Sequence, residues 1–223
     1  AIRATMTGGG TTFGVQQITY DAAGRASCVA TRMNPATFGS LPASACTAAT
    51  AGTLGPDRIT KAGYDAAGRL TSTTSAFGTP AEATESVSYS NNGRPLTLTD
   101  GNGKVSTYVY DGFDRVSRLH FPNTSGAGSS TTDYENYTYD AAGDVLTFRK
   151  RDGRTITYAY DALGRLTSKI IPDGSGLPAT ATRDVYYGYD LRGLQLFARF
   201  AAVSGEGITN ALEALGRVAS STT

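Results

Sequence analysis

The segment "YAYDALGRLTSK", Tyr158 to Lys169, sets an acid, a base and two phenols close together: Asp161, Arg165, Tyr158 and Tyr160. Such a group could move a proton or orient a charged substrate. His120, the lone histidine, stands in "RLHFP" and would be the first choice for a dyad or a zinc ligand. Zinc needs several further His, Cys or acidic ligands at suitable spacing, and the sequence names none, so His120 is read as structural. "GNGKVS" has the small residues of a phosphate loop, but it lacks the Gly-x-x-x-x-Gly-Lys-Ser/Thr pattern and joins two expected strands. Asp100, Asn102, Asp173 and other turn acids offer oxygens for calcium. The alternating acids of a calcium loop are absent, and turn capping accounts for every copy by one mechanism. No catalytic, cofactor-binding or metal-binding residue is therefore assigned.

The same letters recur along the chain, and this recurrence decides how they are read. "TYDAAGRASC", "GYDAAGRLTS" and "TYDAAGDVLT" are copies of one unit. Aligned on Tyr-Asp-x-x-Gly-Arg, eight copies place the first position at Tyr20, Tyr64, Tyr89, Tyr110, Tyr139, Tyr160, Tyr189 and, degenerately, Leu212. The spacings of 44, 25, 21, 29, 21, 29 and 23 residues give a minimal unit of 21, with the excess in inserts. A fixed period of this size is the mark of a repeat architecture.

One unit reads as a β-hairpin. Asp opens a type I turn, two ordinary residues follow, and Gly takes a positive φ as a bulge, making a three-residue loop. The structural turn positions are Asp21, Gly24, Asp65, Gly68, Gly93, Asp111, Asp140, Gly143, Asp161, Gly164, Asp190, Gly193 and Gly216. Asp114 replaces Gly in "YDGFDR", and Asp tolerates the left-handed region. Ser90 replaces Asp in "YSNNGR" and keeps a side-chain acceptor. Arg becomes Asp144 and Leu194 in two copies, so the Asp–Arg pair is expected to be dispensable and to do no more than trim the turn.

Alternating strands flank each turn. Tyr108 and Tyr110 share a face, as do Tyr137 and Tyr139, Tyr158 and Tyr160, and Tyr187 and Tyr189. This stripe has two readings: a platform for stacking sugars, or a ladder of cross-strand aromatic pairs. Gly-rich return turns such as "DGNGK" and "RDGR" lead into the next unit, giving an antiparallel meander of roughly sixteen strands. So wide a sheet is expected to curl, close or wind.

Composition bounds the rest. The 223 residues carry 20 basic and 19 acidic side chains, so no broad basic surface is available for nucleic acid. No apolar run is long enough to span a bilayer as a helix, and no signal-like segment opens the chain. Starting at Ala1, it is expected to be a processed product or an excerpt of a longer protein. Leu, Ile, Val and Phe number 40 of 223, which implies a thin core. Cys28 and Cys46 bound a Pro- and Gly-containing stretch inside an insert at about 28–58; a disulfide between them is expected, with an oxidising compartment to match. Residues 1–18 are read as a lead-in and 19–223 as the repeat strip.

The eight ordered copies resemble the Rhs, or YD-repeat, family, whose shells also appear in Tc toxin complexes and teneurins. The resemblance covers nearly the whole chain from Thr19 onward. It implies an all-β fold: a strip of antiparallel hairpins wound into a spiral, part of a hollow shell. It further implies a non-enzymatic structural protein, extracellular or on a bacterial cell surface, forming a segment of shell or fibre. Alternatives within the resemblance are a carbohydrate-binding adhesive module and the carrier shell of a polymorphic toxin. The Asp-Pro-x-Gly box that closes an Rhs core has no match, and Leu212 to Arg217 is still a repeat, so any effector domain is expected outside this chain. The expected partners are neighbouring repeats or further copies of the chain joined end to end, with glycans or an enclosed effector as further candidates.

Overall fold

The structure, a computed structural model, describes residues 2–8, 11–125, 127–173 and 183–223. Most of the insert from Ile171 to Asp184 lies outside the described residues. Among the described residues seventeen strands follow one another: β1 (Ile2–Gly8), β2 (Thr11–Tyr20), β3 (Ala26–Arg32), β4 (Arg58–Tyr64), β5 (Leu70–Ser75), β6 (Ala83–Tyr89), β7 (Pro95–Thr99), β8 (Val105–Tyr110) and β9 (Val116–Pro122). The series continues with β10 (Ser129–Tyr139), β11 (Val145–Arg149), β12 (Thr155–Tyr160), β13 (Leu166–Ile170), β14 (Val185–Tyr189), β15 (Gln195–Phe200), β16 (Gly207–Leu212) and β17 (Val218–Thr222). β1 and β2, which take up most of the expected lead-in of residues 1–18, pair antiparallel, with Ile2 opposite Ile18. Among the described residues the helical structure is one short 3₁₀ turn, Pro35–Thr37.

The chain divides into two compact units. The first comprises Ala1–Thr107 with Pro122–Ser129, and the second Tyr108–Phe121 with Ser130–Thr223. In the first, β1 to β8 pair in chain order as an antiparallel meander. In the second, β10 to β17 do the same.

The hairpins β2–β3, β4–β5, β6–β7, β10–β11, β12–β13, β14–β15 and β16–β17 slip register at the same place, just before the residue that opens the repeat, whereas β7–β8 and β11–β12, joined by return turns, do not. Thr19 pairs with Cys28 but Tyr20 with Ala26, and Ala159 pairs with Ser168 but Tyr160 with Leu166. The slip leaves one residue unpaired on the strand after the turn, Thr167 in this hairpin, and is separate from the bulge within the turn itself, which rests on a glycine at positive φ, such as Gly164 at 73°. Asp114 holds the same conformation at 59°. The return turns use identical geometry: Gly153 N–H donates to Lys150 O and Lys150 N–H to Arg154 O. A second glycine matters through space rather than φ. Gly188 lies opposite Phe197, and a Cβ there would fall 2.0 Å from the Phe197 ring.

The fully buried core is small and sits in the first unit, where the cysteine insert folds onto β2, β3 and β4. Cys28, Ala30, Ala45 and Ile59 pack together, with Cys46 and Phe77 against them. The insert is therefore no loose excursion. Arg32, 2% exposed, donates from Nη1 to Asp57 Oδ2 at 2.6 Å and to Thr47 O at 2.8 Å, and through Nε to Gln17 Oε1 at 3.0 Å. Asp57, 4% exposed, accepts from Met33 N–H and Ala49 N–H as well. The insert groups that meet this pair, the carbonyls of Ser44 and Thr47 and the N–H groups of Met33 and Ala49, all belong to the backbone, so two side chains fold a stretch rich in Ala, Ser and Thr. Burial alone would raise the Asp57 carboxyl, but these three hydrogen-bond donors win and hold it below the ordinary carboxylate range. The disulfide between Cys28 and Cys46 joins β3 to the insert, with Cα atoms 5.2 Å apart.

Candidate functional site

The acid, base and phenols of the repeated segment meet, and what they make is a joint between hairpins. Asp161 Oδ1 accepts from the N–H groups of Leu163 and Arg165, and Oδ2 accepts from Arg165 Nε at 2.6 Å. Asp21, Asp65 and Asp111 pair in the same way with Arg25, Arg69 and Arg115. The Arg165 side chain is the main cause holding the Asp161 carboxyl below its ordinary range. For Asp21 and Asp65 the main cause is the backbone N–H of Arg25 and of Arg69. Where Asp144 stands in place of Arg, Asp140 still caps its turn through Gly143 N–H and Asp144 N–H. Ser90 Oγ accepts from Arg94 N–H, and in the last copy Glu213 pairs with Arg217.

Arginine reaches further than its own turn. Held by its aspartate, each guanidinium lies over the tyrosine ring of the next hairpin: Arg25 over Tyr64, Arg69 over Tyr89, Arg115 over Tyr139 and Arg165 over Tyr189, at 4.4 to 4.8 Å from the centroid. The same side chain donates from Nη1 to the carbonyl of the next turn: Asp65, Ser90, Asp140 and Asp190, at 2.9 to 3.3 Å. The tyrosine answers in the other direction. Its hydroxyl donates to the carbonyl just after the previous turn: Tyr64 to Ala26, Tyr89 to Leu70, Tyr139 to Val116, Tyr160 to Val145 and Tyr189 to Leu166.

The arginine thus does more than trim its own turn. Sequence comparison within the unit sees only the exposed ion pair, whereas the side chain's main partners lie in the next unit, up to 40 residues away. Together a stacked cation and two hydrogen bonds are worth on the order of 1–3 kcal/mol per junction. One departure from the pattern carries its own repair. Leu194 replaces Arg, and Arg192, two positions earlier, takes over: Nε donates to Asp190 and Nη1 to Ala214 O in the next turn.

The tyrosine stripe is half-buried along its length. Tyr139, Tyr160 and Tyr189 have their hydroxyls committed to the joints just described. Tyr137 stacks on Phe148, its opposite residue on β11, with ring centroids 4.8 Å apart. Burial and a hydrogen bond to Glu135 push the Tyr137 phenol up to about 12. Burial also raises Tyr158, with Tyr187 close enough to add to the shift, so these two phenols share a row. Tyr108 and Tyr110 are likewise half-buried on β8.

The other candidates resolve into structural parts. His120 Nδ1 lies 2.7 Å from Ser130 O, which makes that nitrogen the donor, and the ring is tilted against Tyr134. Asp100 Oδ1 accepts from Asn102 N–H and Lys104 N–H in a return turn. No group of acids, histidines or cysteines suited to a metal occurs among the described residues. The first unit has an open groove of about 380 Å³ lined by Leu70, Val87, Leu98 and Pro122, with Glu85 and Lys104 at its margin.

A family model described as RHS Repeat matches residues 89–125 and 139–175. Each window begins at the tyrosine of one hairpin and contains the Asp-x-x-Gly/Asp or Ser-x-x-Gly turn. The chain carries RHS repeats. Within the Rhs/YD-repeat pattern, the joint accounts for both letters: Asp shapes the turn and Tyr reaches back to the turn before. Crystal structures of TcdB2-TccC3-Cdc42 and TcdB2-TccC3-TEV share the fold, with TM-scores of 0.53 and 0.55 over 98% of this chain at 17% and 18% identity. A third, TcdB2-TccC3 without the hypervariable C-terminal region, aligns over 91% at a TM-score of 0.54. This chain spans 13% of the length of the first two. No curated protein matches its sequence.

Proposed function

We propose that this Rhs/YD-repeat chain is a non-enzymatic wall: a segment of an extracellular bacterial shell or fibre. The observation that carries this reading is the joint itself. The side chains best placed for chemistry, Asp161, Arg165, Tyr160 and Tyr189, are all bound to one another or to neighbouring backbone. Copied from hairpin to hairpin, such a joint makes a sheet that extends by adding units, each needing only its neighbours. The Cys28–Cys46 disulfide supports residence in an oxidising compartment. The fold shared over 98% of the chain with TccC3-containing structures supports a wall that winds with its neighbours into a shell. Small-angle scattering from the purified chain tests this: a single-layer curved strip is expected, and a compact two-layer sandwich would overturn it.

A second reading, favoured by the same structural likeness, makes the wall the carrier of a toxin domain encoded beyond this segment. Limited proteolysis of the natural full-length protein separates the two. A carrier leaves its cargo protected until the wall is opened, whereas a fibre leaves every appended domain accessible.

A further inference from the structure

Nearly every arginine at a repeat turn of the second unit is neutralised by a carboxylate, as Arg115 is by Asp111 and Arg165 by Asp161. Three strand arginines of that unit have no such partner among the described residues, and one of them, Arg199 on β15, is held instead by Val203 O and Thr209 Oγ1. Arg118 on β9 and Arg149 on β11 have no carboxylate within 4.0 Å among the described residues, yet both guanidiniums sit on one ring, Tyr134, at 4.6 and 3.9 Å from its centroid. Nearby Arg151 shows the contrast, since it is paired with Asp133.

The two cations are also held in place. Arg118 Nε donates to Asn136 Oδ1 at 3.1 Å, and Asn136 stands directly opposite Arg149 in the β10–β11 register. Arg149 Nη1 donates to Tyr134 O at 2.6 Å and to Lys150 O at 3.2 Å. Arg118, Tyr134, Asn136 and Arg149 are all half-buried. Two cations anchored on one half-buried ring, with no carboxylate within 4.0 Å among the described residues, make this patch attractive to an oxyanion. Donors suited to one remain. Arg118 still carries N–H groups on both terminal nitrogens, and with Oδ1 taken, the Asn136 amide presents its Nδ2 hydrogens. His120, tilted against the same ring, borders the group. Tyr134 serves as the platform that orients the two guanidiniums, so recognition here rests on charge and hydrogen-bond donors rather than on stacking a sugar.

We propose that Arg118, Asn136 and Arg149 form a binding site for a sulfate or phosphate ester. Titration of the whole chain at constant ionic strength with glucose 6-sulfate, glucose 6-phosphate and unmodified glucose tests it by calorimetry. One or both esters are expected to bind saturably and glucose not at all; which ester binds tells the sources apart. Arg118→Gln and Arg149→Gln should each weaken binding roughly tenfold. Arg151→Gln, which breaks the neighbouring Asp133 pair and the contact over the Phe121 ring, should weaken it less than either of these. Asn136→Asp places a carboxylate in the site without removing either arginine and should abolish binding, which keeps the test decisive if an arginine variant folds poorly. Absence of saturable binding by both esters, or binding that survives Arg118→Gln and Asn136→Asp, would overturn the proposal. So would a response to inorganic sulfate at high concentration alone, which is the mark of an adventitious ion only.

Discussion

The Arg115 guanidinium lies 4.4 Å from the centroid of the Tyr139 ring, and the Tyr139 hydroxyl donates at 2.7 Å to the carbonyl of Val116, the residue that follows Arg115. Each residue thus fastens the hairpin to which the other belongs. Twenty-four positions apart in sequence, they are one joint in space, and the same joint recurs at Arg25–Tyr64, Arg69–Tyr89 and Arg165–Tyr189. Removing only the phenol oxygen with Tyr139→Phe should cost about 1 kcal/mol, because it leaves the Val116 carbonyl without this donor while the cation–ring contact survives. Urea unfolding of the variant measures it.

The buried pair in the insert should be far more sensitive. Asp57→Ala leaves Arg32 charged and 2% exposed with no counter-ion. A loss of about 3–5 kcal/mol is expected from denaturant unfolding. Replacing both partners, as Arg32→Met with Asp57→Leu, should cost less than Asp57→Ala alone, since no buried charge is then stranded.

Reduction of the Cys28–Cys46 bridge, which spans 18 positions, should lower stability by about 3 kcal/mol. Melting with and without reductant checks this. The insert should remain docked through Arg32 and Asp57, so the Met33 and Ala49 amides should stay protected from exchange in the reduced protein.

Acid should loosen the turns before it affects the strands. The carboxyls of Asp21, Asp65, Asp111, Asp161 and Asp190 all lie below the ordinary range when folded. The stability they contribute is therefore complete above the unfolded carboxylate value of about 4 and is lost as pH falls through the lower folded values. Melting temperatures should be level near neutrality and decline below about pH 4. A flat profile down to pH ~2 would contradict this account of the turns.

At the alkaline end the sign reverses. The Tyr137 phenol, pushed up to about 12, stays neutral in the folded chain after an unfolded tyrosine has ionised. Its contribution is present below the unfolded value of about 10 and is lost as pH rises through the folded one. Absorbance titration should show late phenols, since burial raises Tyr139, Tyr158, Tyr160 and Tyr189 as well, and Tyr137→Phe should remove one of them.

Much of this fold can be read from the letters, because a hairpin's turn is local. Asp161 and Gly164 declare a bulged loop without reference to anything outside "YDALGR", and the alternation in "TITYAY" declares a strand. What escapes is whatever depends on residues far along the chain. Arg25 touches Asp65, and nothing in the local sequence of either indicates it. The periodic co-occurrence of Arg in one unit with Tyr in the next was the available signal, and it was blunted by Asp144 and Leu194. Arg32 and Asp57 gave even less warning, since each belongs to no repeat and looks like an ordinary surface charge beside an insert. Arg118 and Arg149 are likewise strand residues outside the consensus, brought together only by the β9–β10–β11 order.

The central claim is that the repeated arginine holds the next hairpin rather than merely its own turn, and amide hydrogen exchange on Arg115→Gln tests it most directly. The account predicts faster exchange both at the turn from Asp111 to Arg115 and, by roughly fivefold, in the following hairpin around Asp140 to Asp144. Faster exchange confined to Asp111 through Arg115, with the next hairpin unchanged, would contradict it.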